Sequence, residues 1–325
     1  MEELVTHIFT HSNDLPNIDC ADYFHSKSLF MLYEITPRTT PYMVTVSTTA
    51  GEVVSHLLAV MRYRGSWMPP FLYTHCQILG MGDYAATDYP REKLLYYMIQ
   101  ALCKRISFWA LYFEMSNMGN KMFGYRVMKQ LNFFPVKWLN IRNSLHDDAP
   151  ESRLSERQLK RLNRIKKMGV TSQLVETDED FNAFYQLLHQ HFKLKMKRYI
   201  PDEAFFRLFA KTEHGRLFIT KYHHHVVGCS ACAYSDTEAF LWYAAFRRKS
   251  FRVIHPDLMT IWNAIQYAYL HGYRHIVFLD AGLPLKRSHY RDFLLSFGGK
   301  LTSNYRWFRF NINWINHILK WIYRE

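Results

Sequence analysis

The chain has 325 residues, 49% of them apolar and 17% aromatic, enough for two average domains and far from the composition of a disordered chain. Its 41 Lys and Arg against 28 Asp and Glu leave a net charge of +13, which points to an anionic partner: nucleic acid, phosphorylated substrate, cofactor or membrane surface. No apolar run approaches the roughly 20 residues of a membrane span, the acidic start does not read as a signal peptide, and five cysteines form no disulfide framework but fit a reduced cytoplasm.

In chain order, residues 42–63 read as two strands around a turn at Thr49-Ala50-Gly51-Glu52, and 71–79 as a third. A helix follows Pro90, with Leu94, Leu95, Met98, Ala101 and Leu102 on one face. The apolar run 108–113 after it has the pattern of a buried parallel strand. A helix near 120–131 and a strand near 134–142 close the first half. The basic segment 153–167 is helical, and strand 170–176 and helix 178–193 come next. A second helix starts at Pro201, where a missing N–H costs nothing. Strands 216–223, 226–234 and 239–246 precede a helix after Pro256 that carries Leu258, Ile261, Trp262, Ile265, Ala268 and Tyr269 as one stripe and stops at Gly272. Strand 275–280, a helix over about 286–297, a Gly298-Gly299 break and strand 305–310 complete the second half.

The two late segments superpose at a constant offset of 166, with Pro90 on Pro256, Gln100 on Gln266 and Glu114 on Asp280. The expected organisation is therefore a tandem duplication, with modules at 1–150 and 151–325. The fold class is α/β (α+β), each module a mixed, largely antiparallel sheet flanked by helices.

That element order resembles the GNAT acyltransferase fold. Two such modules in tandem are similar to the FemABX-type aminoacyltransferases that build peptidoglycan cross-bridges, and to the broader FemAB-like acyltransferases. The stretch 255–301 resembles the family pattern most closely, with a Pro, an apolar helix, a Gly, a strand ending in an acid, and a short helix closing on Phe297-Gly298-Gly299. The basic helix 153–170 resembles the one that precedes the family's second module. Leu294 stands where family members commonly carry Lys, and the Gln/Arg-x-x-Gly-x-Gly/Ala loop of CoA-binding GNAT proteins is absent.

The resemblance implies an N-acyltransferase or aminoacyltransferase that moves an acyl group onto an amine of a cell-wall or lipid precursor; Leu294 leaves open the alternative of a GNAT-like protein that has lost catalysis and only binds an anionic polymer or membrane. No tightly bound cofactor is expected, and the donor is either aminoacyl-tRNA or acyl-CoA. In such a module the loop before the main helix faces the donor. Arg247, Arg248, Lys249 and Arg252 could hold donor phosphates there, with the helix N-terminus favouring an anion, or form a solvated basic loop. Trp242 and Tyr243, on the preceding strand, are assigned to the substrate with Lys286 and Arg287, which could equally be solvated. Asp280 could take the proton of the attacking amine or cap the next turn. Tyr290 could donate a proton, position substrate or pack. Arg157, Lys160, Arg161, Arg164 and Lys167 could grip nucleic acid or form a solvated face.

The first module's counterpart of the basic loop, residues 80–90, holds Asp83 and Asp88 and no base, so the active site is expected in the second module and a structural or acceptor-side role in the first. Two candidate metal motifs are set aside. Adjacent residues in His223-His224-His225 cannot all face one ion, and Cys229 and Cys232 fall on opposite sides of a strand as buried structural thiols. The tail 311–325 spaces Ile315, Ile318, Leu319 and Ile322 as a helical stripe beside Trp314 and Trp321. It could pack on the protein or lie on the inner face of the membrane, so the expected location is the cytoplasm with possible peripheral membrane contact.

Overall fold

The computed structural model of the chain describes residues 3–65, 72–192, 199–247, 250–251, 253–285 and 287–324, without the side chains of Arg64, Leu72 and Asp280. In chain order it begins with β1 (Leu4–Phe9), α1 (Lys27–Glu34), β2 (Thr39–Thr48), β3 (Val53–Gly65), β4 (Leu72–Leu79) and β5 (Asp83–Tyr84). Then come α2 (Arg91–Ile106), β6 (Tyr112–Ser116), α3 (Tyr125–Gln130), β7 (Phe134–Ser144), α4 (Glu156–Lys167), β8 (Val170–Leu174), α5 (Asp178–Phe192) and α6 (Glu203–Phe209). The last elements are β9 (Gly215–Tyr222), β10 (His225–Tyr234), β11 (Glu238–Phe246), α7 (Pro256–Leu270), β12 (His275–Gly282), α8 (His289–Leu295), β13 (Lys300–Phe310) and α9 (Asn313–Ile322).

These elements form two units, Met1–Trp138 with Ser303–Glu325, and Leu139–Thr302. The first unit is thus built from two stretches of chain, while the second is one stretch whose bounds differ from those the repeat alone implies. β7 was expected to close the first half, yet its residues 139–144 pair antiparallel with β12 of the second unit. β13 was expected to close the second half, yet its residues 306–310 pair antiparallel with β6 of the first. An apolar strand shows the same side-chain pattern whichever sheet receives its backbone hydrogen bonds, so sequence alone does not reveal the exchange.

In the first unit the sheet runs β1-β2-β3-β4-β6 and ends on 303–310 of β13. The β2–β3 hairpin turns at Gly51, whose φ of +87° is a left-handed conformation that costs glycine little. On one face α2 buries Leu94, Leu95, Met98, Ile99 and Leu102 against Val44, Leu57, Ile78, Phe113 and Trp307. The run 108–113 is only partly a strand. Trp109 and Ala110 both donate their N–H groups to Ile106 O in the turn that ends α2, which leaves Phe108 90% and Trp109 60% exposed. The helix expected over 120–131 shrinks to α3 because Gly124 takes φ +71° just before it.

β6 carries Glu114 into a polar cluster. His75 Nε2 lies 3.6 Å from its carboxylate and Arg306 Nη1 3.4 Å, and the Arg306 guanidinium sits 3.8 Å over the Trp138 ring. Burial alone would raise the Glu114 pKa. The neighbouring His75 imidazole and the Arg306 charge outweigh it and hold the carboxyl below the usual carboxylate range.

In the second unit the sheet runs β7 (139–144)-β12-β11-β10-β9-β8, with β11 and β12 parallel and the other pairs antiparallel. α4, α7 and α8 share one core through Leu162, Ile165, Ile261, Trp262, Ile265 and Leu294. α5 and α6 cover the opposite face, where Phe205 and Phe209 pack edge-on against Trp242. Cys232 belongs to the α7 side, while Cys229 donates to Phe184 O of α5, and both are free, buried thiols. β10 meets α7 at Gly228, where a Cβ would stand 2.1 Å from Thr260 Oγ1.

Two outcomes test this packing. Gly228→Ala should cost about 1–3 kcal/mol in denaturant unfolding, with part regained when Thr260→Ala removes the colliding hydroxyl. Glu114→Gln should cost about 3 kcal/mol near neutral pH by leaving Arg306 without its buried partner. Because the folded pKa of Glu114 is depressed, that contribution is present above the unfolded value and is lost as pH falls. The stability gap between wild type and Glu114→Gln should therefore narrow below about pH 4.5.

Candidate active site

The second unit contains a local irregularity that the first lacks. β11 and β10 step in register from Ala231↔Tyr243 to Cys232↔Leu241, so Trp242 is the extra residue of a β-bulge. The parallel register of β11 with β12 runs from Glu238↔His275 to Leu241↔Phe278, and both strands continue beyond it, to Phe246 and Gly282. In the first unit the corresponding β4 pairs with β3 from Ala59↔Ile78 to Gly65↔Leu72 without a shift. Its parallel register with β6 extends to Leu79↔Ser116, the last residue of each strand. The all-apolar run 239–246 has no alternation that a bulge would disturb, so the sequence carries no sign of it.

The bulge explains where Trp242 and Tyr243 go. Trp242 is 5% exposed between Phe205 and Phe209, and Tyr243 is 4% exposed against Phe206, with its hydroxyl donating to Tyr199 O at 3.1 Å. Successive strand residues normally face opposite sides, and here both meet α6. They form an aromatic layer beneath the end of the strand.

β11 leads into the basic loop. Arg247 is half-buried and anchored by its backbone N–H to Val227 O at 2.8 Å, while Arg248, Lys249 and Arg252 lie outside the described residues. The loop enters α7 through His255, a non-glycine residue with φ +42°, and Pro256 occupies the first helical turn. Asp257 follows, 3% exposed, and its Oδ1 accepts the Leu258 N–H at 3.0 Å. Sequence reading missed this acid, which resembles an ordinary first-turn carboxylate. It already complements the positive end of the helix, so an anion arriving here depends on the arginines more than on bare backbone N–H groups. A hydroxyl chain, Ser172–Thr220–Thr260, reaches Pro256 O through contacts of 2.7, 2.9 and 2.8 Å and fixes this turn against β8 and β9.

Asp280 lies on β12, and its side chain lies outside what the structure describes. Tyr290, on α8, is 37% exposed, with its ring 6.3 Å from that of Phe246, the last residue of β11. The structure therefore brings Tyr290, the end of β11 and the start of the basic loop to one place. Arg291, also missed, donates to Leu283 O at 3.0 Å and pins the segment after β12 to α8. Lys286 lies outside the described residues, and Arg287 is exposed beside it in sequence.

The other motifs have structural explanations. Leu294 is 1% exposed in the α4–α7–α8 core, where an ammonium would be desolvated. Gly298, at φ +87°, leaves no room for a Cβ beside Arg153, and a Cβ on Gly299 would stand 1.8 Å from Asn143 Oδ1. The Phe-Gly-Gly motif is thus a close-packing device that lets α8 turn back onto β7. On α4, Leu162 and Ile165 are buried. Arg157, Lys160, Arg164 and Lys167 are exposed and Arg161 is half-buried, with Lys160 paired to Glu156 at 2.5 Å. His223 turns the β9–β10 hairpin at φ +52°, and no His cluster at 223–225 has the geometry of a metal site among the described residues.

Comparison with known proteins agrees with this architecture. Residues 153–287, within the second unit, match the family model of the acetyltransferase (GNAT) domain. No curated protein matches the chain in sequence. Among solved structures it resembles FemX, with 12% identity over 87% of this chain and 90% of that one and a TM-score of 0.59. It also resembles L-PGS from Bacillus licheniformis, with 12% identity over 92% of each chain and a TM-score of 0.57. A tandem GNAT protein of the clavulanic acid biosynthesis pathway matches at 10% identity over 95% and 99%, with a TM-score of 0.58. The chain has a tandem GNAT-like fold similar to that of FemX, and residues 153–287 of its second unit match the GNAT domain model.

Proposed function

We propose that the protein is an aminoacyl- or acyltransferase that modifies an amine-bearing cell-wall or lipid precursor from a site in its second unit. The observation that carries this reading is the bulge at Trp242. It interrupts a GNAT-matched sheet where β11 feeds Arg247 toward α7 and where Tyr290 packs on Phe246. The donor's acyl carbonyl is placed beside the end of β11, with its phosphates on the basic loop and Arg287. The amine nitrogen attacks the carbonyl carbon, a C–N bond forms, and the C–O or C–S bond to the donor breaks. Asp280 accepts the amine proton and Tyr290 donates to the leaving oxygen or sulfur. The exposed bases of α4 hold the nucleic-acid part of an aminoacyl-tRNA donor.

A peripheral location at the inner face of the membrane fits α9 of the first unit. Trp314, Ile318, Trp321 and Ile322 are 67%, 48%, 74% and 56% exposed on one helical face. Phe108, Trp109 and Ile312 line a shared groove, so exposed aromatics continue past the helix start. The helix is held from beneath by Asn316, which accepts the Phe310 N–H at 2.9 Å and donates to Asn132 O at 3.0 Å. An amphipathic helix with outward tryptophans suits the lipid interface. Among the described residues, no helix is long and apolar enough to cross a membrane.

The second reading, an acyl-CoA donor, is favoured by the family model itself, which describes an acetyltransferase domain. Calorimetric titration with aminoacyl-tRNA and with acyl-CoA separates the two. If the first reading holds, charged tRNA binds with a steep salt dependence that weakens when Arg157, Lys160 and Arg164 become Glu. Tight acyl-CoA binding that those changes leave untouched selects the second. With either donor, Arg247→Ala should weaken donor binding, and Asp280→Asn or Tyr290→Phe should lower kcat by about 10²- to 10⁴-fold. Full activity in the Asp280→Asn/Tyr290→Phe double variant removes these two assignments. Trp314→Ser/Trp321→Ser should abolish co-sedimentation with anionic phospholipid vesicles without changing the folded stability.

A further inference from the structure

The first unit contains a cluster that the transferase reading does not use. A thiol, an imidazole nitrogen and a carboxylate oxygen, from Cys20, His56 and Asp83, all lie within 4.8 Å of one another. They come from three places in the chain: the segment before α1, the strand β3 and the short strand β5. His56 is 3% exposed, and its Nε2 is sealed from water with no hydrogen-bond partner. A buried polar atom left in that state is costly, and an electrophile bound by this imidazole would relieve it.

The carboxylate is held in place for such a role. Asp83 Oδ2 accepts the N–H groups of Ala21 at 2.7 Å and Asp22 at 3.1 Å, and Oδ1 accepts that of Tyr84 at 2.9 Å. A carboxylate oxygen has lone pairs beyond those bonds, and backbone donors of this kind are the outer support that metal-ligating carboxylates usually show. The loop that delivers Asp83 turns through Gly80 and Gly82, at φ +91° and +92°, and a Cβ on Gly82 would stand 3.2 Å from His56 O. Only glycines bring Asp83 this close to β3. A second carboxylate, Asp22, and a second buried imidazole, His25, adjoin the cluster, with His25 Nε2 3.9 Å from Asp22 Oδ2.

We propose that Cys20, His56 and Asp83 form a binding site for a divalent transition metal of the zinc class. Thiolate, imidazole and carboxylate together are a borderline donor set that selects zinc over magnesium or calcium. Three protein ligands leave a fourth tetrahedral position for water. The ligand atoms need only draw together from their present separations for all three to reach one ion. Binding forms a metal–sulfur bond and releases the Cys20 proton to solvent. The ion would fasten the segment before α1 to β3 and β5. The site is independent of the acyl-transfer reading and stands whether or not that reading does.

The test uses the full-length protein, stripped with a chelator and titrated with Zn²⁺ and with Co²⁺. The expected result is one metal per chain, proton release on binding, a higher unfolding temperature, and a thiolate-to-cobalt charge-transfer band that disappears in Cys20→Ser. His56→Gln and Asp83→Asn should each weaken Zn²⁺ binding by about tenfold or more. Replacing His223, His224 and His225 with Ala should leave the band intact. Absence of the charge-transfer band in the wild-type protein overturns the proposal and needs no variant to fold. Unchanged stoichiometry and affinity in Cys20→Ser/His56→Gln also overturn it, since the metal then sits elsewhere.

Discussion

β6 is covered by a strand that arrives almost two hundred residues later, and much of the first unit depends on that. Glu114 and Arg306 are 192 positions apart, yet they face each other across the β6–β13 pair. Without residues 303–310, β6 would be an open edge and Glu114 would be a buried acid missing its guanidinium. The second unit has the reciprocal arrangement, because β12 is flanked by residues 139–144, which the chain lays down long before β12 itself. Pairings this distant in sequence carry a large loop-closure cost before they return any energy, so each sheet is completed late. The first unit is therefore not a contiguous stretch of chain: its sheet is finished by residues 303–310, which follow the whole of the second unit.

Much of the architecture was legible because it rests on side-chain periodicity. α2 and α7 were visible as apolar stripes, β9 to β11 as apolar strands between turns, and the repeat as a shared order of elements. Features that depend on backbone geometry were not legible. The strand exchange turns on which sheet receives a row of N–H and C=O groups, and β7 and β13 look alike in that respect. The bulge at Trp242 inserts one residue into a run that is apolar on both faces. Phe108 and Trp109 read as buried strand because their hydrophobicity is indistinguishable from that of core residues, whereas the turn ending α2 places them in solvent. The N-terminal β1 and α1 were not read at all.

The candidate site was legible to a different degree. Electrostatics was the signal that pointed to it, because four bases in six residues before α7 have no counterpart in the first half. Individual roles were harder to read, since residue type does not distinguish a ligand contact from packing. Leu294, Gly298 and Gly299 belong to the stretch that most resembles the acyltransferase family, and all three serve the α8 turn. Arg291 and Asp257 shape the surroundings of the site without forming a motif.

The two units show how a duplicated fold diverges when charge is redistributed over conserved geometry. Glu114 and Asp280 occupy equivalent places under the repeat, on the parallel strand that follows the main helix. Glu114 is enclosed by His75 and Arg306, and a carboxylate so firmly held below its ordinary pKa is a poor proton acceptor near neutrality. The loop before the main helix diverges in the same way. In the second unit it carries bases and follows a bulged strand, while in the first it carries acids and follows a strand in unbroken register with β3 and β6. An acidic loop repels a phosphorylated donor and, beside a thiol and an imidazole, attracts a cation. One topology therefore presents opposite electrostatic faces at equivalent loops. That is the physical ground for placing anion chemistry in the second unit and metal binding in the first.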